Sequence, residues 1–214
     1  MARAPDGLAV SERELNVPPP EGTVERWAWD YILTTALPEK LSPARLPARW
    51  EENPPSRRLT APGRPAALRL VARAPKTRGL RSPLARARAL HTFLHHELQA
   101  AELMAWALLA FADAPQEFRE GLARIAGDEV RHMGMYAGHI ERLGHGVGEF
   151  PVRDWFWERV PSARSPVEFV ATMGLGLEGA NLDHSRSSPR AEARGPPYWR
   201  SRVLRRAAGD VAVA

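Results

Sequence analysis

In the stretch "GDEVRHMGMY", residues 127–136, Glu129 and His132 stand three positions apart. On an α-helix that spacing puts both side chains on one face, about one turn from each other. The rest of that face is apolar: Phe118, Leu122, Ile125, Met133, Tyr136, Ile140 and Leu143. Two further carboxylates break apolar stripes in the same way. Glu97 follows Leu90 and Phe93 or Leu94 and precedes Ala101, Met104 and Leu108. Glu178 follows Val167, Val170 or Ala171, and Gly174 or Leu175. An isolated carboxylate inside a core is strongly unfavourable unless its charge is matched. One divalent cation matches several at once, and Glu-x-x-His is the spacing with which helical bundles hold iron or manganese. The chain has no cysteine, so sulfur ligation, thiolate catalysis and disulfides are excluded. Carboxylate and imidazole donors suit iron and manganese without excluding zinc.

Register supplies a check. The connection between the helices carrying Glu97 and Glu129 centres on "ADAPQ", residues 112–116, and is short enough to make them antiparallel. Residue 97 then faces about residue 130, between Glu129 and His132. Glu102 faces about residue 125, more than a turn away, and stands as an alternative ligand or a group that orients ligands. His95 is an alternative partner for Glu97 or Glu102, against the plainer reading of an ordinary surface histidine. His91, His96 and His139 share no register with the acids. Near Glu178, the polar group Asn181, Asp183 and His184 could either orient ligands or cap a helix end.

These residues need long helices to position them, and the chain supplies the signals. Thr23 caps a helix expected through "VERWAWDYILTTAL", ended by Pro38. Ser82-Pro83 opens a helix to about Phe111, a second runs from Gln116 to Leu143, and Ser165-Pro166 opens a third to about His184. Residues 1–22 read as a flexible leader and 23–82 as an N-terminal helix with an extended Pro/Arg-rich arm. Residues 83–184 read as the helical core, and 185–214 as an atypical basic tail. The aromatic segment "DWFW", residues 154–157, either caps the bundle end or stacks a nucleobase, and packing is the commoner use. No β-alternation of useful length and no solenoid repeat occurs. The fold class is therefore all-α.

The 214 residues carry a net charge of +5, and all basic residues but Lys40 and Lys76 are arginine. Those arginines are scattered, which fits codon bias better than a nucleic-acid footprint. No apolar run approaches the ~18 residues of a membrane span, and the N-terminus lacks a signal-peptide core. A cytoplasmic protein with no membrane partner is expected.

The segments "LHTFLHHELQAAELMAWALLAF", "DEVRH", "FPVRDWFWERVP" and "MGLGLEGANLDH" resemble the ferritin-like proteins catalogued as domain of unknown function 455. The resemblance covers about Val24 to His184, including "APGRP" and "RAPK" of the arm. It implies a ferritin-like helical bundle and a carboxylate-bridged di-iron site, with oxygen-activating hydroxylases in the wider superfamily. The ligands it implies here are Glu97, Glu129, His132 and Glu178. The family pattern wants a second Glu-x-x-His on a fourth helix. After Ser185 the chain holds Glu192 and no histidine, so the fourth helix reads as degraded or missing, as a frameshift or truncation would leave it. The expectation is an incomplete site with weak iron or manganese binding, and an open apolar side that favours a homo-oligomer. Three functions follow: an oxygen-activating oxidoreductase or hydroxylase, an RNA-binding or RNA-modification module, and a bundle without activity.

Overall fold

The computed structural model describes residues 17–73 and 80–174. Among them the regular structure is helical. The helices are α1 (Val24–Leu33), α2 (Leu37–Leu41), α3 (Pro83–Ala110), α4 (Gln116–Arg142) and α5 (Pro166–Ala171), with a single 3₁₀ turn at Val160–Ser162. No strand occurs among the described residues; Thr23 with Arg49 and Leu70 with Val152 form only isolated bridges.

The central element is α3. Ser82 accepts a hydrogen bond from Ala85 N, and Pro83 occupies the first turn, where a missing N–H costs nothing. From Leu98 to Phe111 every residue is buried, as expected of a helix enclosed on all sides. Its partner α4 returns along it after the short loop 111–115 and ends just before Gly144, whose positive φ of 82° suits a residue without Cβ. Trp106, fully buried, anchors the far side: its ring meets Phe111 and Phe169, and its Nε1 donates to Leu59 O at 2.9 Å. Phe156 and Trp157 of "DWFW" are also core, so that segment packs.

The first helix differs from its sequence pattern. Thr23 caps it as expected, accepting from Arg26 N, but α1 stops at Leu33. Pro38 lies in the first turn of α2 and ends nothing. The reason is Lys40, whose ammonium donates to Tyr31 O at 2.7 Å and Ile32 O at 2.9 Å. It thereby takes carbonyls that a continuing helix would use.

The segment after α2 lies against α3 and α1 at several points. Arg57 N donates to Leu109 O at 2.9 Å and Ser56 Oγ to Ala110 O at 2.6 Å, closing the last carbonyls of α3. Gly63 N then donates to Ile32 O at 2.8 Å. A Cβ at Gly63 would sit 2.0 Å from Leu33 O, so no other residue fits this crossing.

Ser165 caps α5 and Phe169 is its buried residue. Val167, expected on the buried stripe, is 58% exposed. The core face here runs through Phe169 and Met173, with Val170 packed partly against it. Residues 172–174 continue with π-helical backbone. Glu178, Asn181, Asp183 and His184 lie outside the described residues, as do the leader before residue 17 and the basic tail.

Candidate metal centre

Glu97 projects from α3 toward α4, and Glu129 with His132 project from α4 toward it. One donor atom from each of the three lies within 4.8 Å of the others. His132 Nδ1 is 2.9 Å from Glu129 Oε2 and 3.8 Å from Glu97 Oε2. The Glu129 side chain is enclosed, at 2% exposure, whereas Glu97 and His132 keep 12% and 15%. Leu94, Leu98, Met133 and Ile140, all fully enclosed, form the apolar cluster on the same helix pair. Two carboxylates in such a setting need a counter-charge. In the metal-free chain His132 supplies it. The hydrogen bond to Glu129, then the nearby Glu97 carboxylate, raises its pKa from 6.5 to about 9 against the opposing effect of burial. The imidazolium is thus the proton-bearing stand-in for a cation at this point.

Glu102 is not part of this cluster. It is fully buried on another side of α3 and accepts four hydrogen bonds, as many as a carboxylate has lone-pair sites. The donors are Lys40 Nζ at 2.8 Å, Arg64 Nη1 at 2.5 Å, Arg64 Nη2 at 2.8 Å and Trp157 Nε1 at 2.8 Å. Arg64 also donates from Nε to Asp154 Oδ2 at 2.7 Å. The chain of contacts ends at His95, whose Nε2 is 2.9 Å from Asp154 Oδ1. His95 is therefore no surface histidine: it joins the Glu102 side of α3 through Asp154 and Arg64, and it is buried at 1% exposure. The charges balance, two acids against Lys40 and Arg64. Burial lowers the Lys40 pKa more than Glu102 restores it. Burial would lower Arg64 too, but Glu102 and Asp154 outweigh it and raise the guanidinium. Asp154 is held below its ordinary value: His95 and Arg64 overcome the effect of burial.

The roles of Lys40, Arg64, Gln99 and Asp154 escaped the sequence reading. Gln99 ties the loop before Phe156 to α3, accepting from Phe156 N at 3.0 Å and donating to Arg153 O at 3.2 Å. The available signal was two polar residues, Gln99 and Glu102, inside an otherwise apolar helical run. His91, also placed off the stripe by sequence, is buried and accepts from Gly148 N at 2.7 Å. Its pKa falls to about 4, through burial first and the neighbouring His95 second.

The family model for a protein of unknown function, DUF455, matches residues 25–191, most of the chain. The chain belongs to the DUF455 family. That span takes in all three residues of the cluster and the whole of the Glu102 network. No curated protein and no solved structure matches this DUF455 chain. Among its described residues no helix is long and apolar enough to cross a membrane.

Proposed function

We propose that Glu97, Glu129 and His132 hold a divalent metal ion, iron or manganese, and that the protein is a non-haem carboxylate metalloprotein of the oxidoreductase or hydroxylase type. The observation that carries this reading is the convergence of two carboxylates and an imidazole, from two helices, beside an apolar cluster. The donors fit the group: all are oxygen or nitrogen, three in number, leaving positions open. Glu178 is a further donor expected from the sequence, and the ferritin-like arrangement implied by resemblance belongs to the same proposal. A metal so held would supply Lewis acidity and, as iron or manganese, one-electron redox chemistry. The protein's own part is to bind and orient. Glu129 is fixed by enclosure, and His132 must release a proton before its Nδ1 can serve as a ligand. Binding therefore strengthens as pH rises.

The test is metal content after anaerobic equilibration with ferrous or manganous ion and desalting. Wild type is expected to retain metal, and Glu129→Gln and His132→Asn to lose it while keeping their helicity. A wild-type chain that retains no more metal than these variants would leave His132 as a plain counter-ion of two acids, and the proposal would fall.

A further inference from the structure

On a neighbouring face of α3 a cavity of about 240 Å³ is lined by Arg73, Thr92, His95, His96, Val152, Arg153 and Trp155. None of the described lining residues is an acid. Arg73, at the exposed rim, has no ion-pair partner among the described residues. Arg153 donates to Glu158 from Nε at 3.0 Å and from Nη2 at 2.6 Å, which leaves its Nη1 without a partner among the described residues. Asp154, next in sequence, is taken up by Arg64 and His95. Among the described residues, the uncompensated positive charge beside this space is that of Arg73.

Two of the walls are flat rings. The His96 ring lies 5.0 Å from Phe156, and the Arg159 guanidinium lies 4.3 Å over the Trp155 ring. His95 has a buried acid behind it, Asp154, which fixes the orientation of its ring. A small concave space with aromatic walls and guanidinium groups beside them is a form that ligand sites take.

We propose that this cavity binds a small planar organic anion, its acidic group held by Arg73 and Arg153 and its flat body lying among Trp155 and His96. Guanidinium groups recognise carboxylate and phosphate alike through paired N–H donors, and the rings supply stacking. The site needs no metal. It is a second feature of the protein, which stands or falls separately from the Glu97, Glu129 and His132 cluster.

The experiment titrates the metal-free protein with benzoate, phenyl phosphate and the neutral analogue benzamide. Binding is followed by calorimetry and by the ring resonances of His96. Saturable binding of benzoate or phenyl phosphate is expected, the tighter of the two naming the head group, with benzamide weaker by at least about tenfold. Arg73→Gln and Arg153→Gln are each expected to weaken the anion by at least about fivefold, with the far-ultraviolet spectrum unchanged, since both side chains reach solvent. Added salt is expected to weaken it as well. Benzamide binding as well as the anions, anion binding indifferent to both arginines, or no saturation by about 50 mM of either anion would each overturn the proposal.

Discussion

Replacing Glu102 by leucine isolates what the arm does for the bundle. The carboxylate neutralises Lys40, which is fully enclosed, and Arg64, which is 11% exposed. Its loss leaves the Lys40 ammonium with only the Tyr31 and Ile32 carbonyls. It also strips two bonds from Arg64 and one from Trp157 Nε1. Removing one member of a buried ion pair costs about 3–5 kcal/mol, because the partner charge stays behind. For a chain of this size that is roughly 10 °C in Tm. Lys40→Met should cost less, about 1–3 kcal/mol, since Glu102 keeps Arg64 and Trp157 while two carbonyls lose a donor. The double variant should be less destabilised than the sum of the two, because the stranded ammonium is gone, with a coupling of about 1–3 kcal/mol. Urea unfolding followed by circular dichroism measures all three. A Glu102→Leu loss below about 1 kcal/mol, or strict additivity with Lys40→Met, would refute the view that this network is a charge-balanced unit.

Glu102→Gln should leave ferrous or manganous ion affinity unchanged even as it lowers stability, whereas Glu97→Gln should weaken metal binding by at least about tenfold; anaerobic metal titration separates the two acids. His91 gives a pH dependence of definite sign. Its folded pKa of about 4 lies below the unfolded 6.5, so its contribution is intact above pH 6.5 and drains as pH falls toward 4. The full loss is about 3 kcal/mol, and His91→Gln, which keeps an acceptor for Gly148 N, should flatten that window in urea titrations at stepped pH. Gly63→Ala should destabilise by at least about 2 kcal/mol because its methyl would meet the Leu33 carbonyl; thermal unfolding reads this directly.

The helices that carry the cluster were legible because their signals are local. Ser82-Pro83 and Ser165-Pro166 are cap and first-turn pairs, and the short 111–115 loop sets the register that brings Glu97 against Glu129 and His132. What stayed hidden is non-local. Nothing near Lys40 announces that its side chain will cross to residue 102, nor that doing so ends α1 four residues early. Arg64 looked like one scattered arginine among many, and only the docked arm shows it joined to Glu102 and Asp154. Register already sets Glu102 more than a turn from the Glu129 and His132 level, and a helix turns ~100° per residue, so Glu102 and His95 serve a face other than that of Glu97.

Sequence separation within the Glu102 network has a kinetic consequence. The α3–α4 hairpin closes over a five-residue loop, while Lys40 and Arg64 lie 62 and 38 residues from Glu102, and Arg64 lies 90 from Asp154. Contacts that close long loops are slow to form, so the helical pair is expected to assemble first and the arm to dock onto it afterwards. Losing an arm-side charge should then speed unfolding while barely touching the refolding rate, and stopped-flow measurements on Lys40→Met would show equal slowing of refolding if the order were reversed.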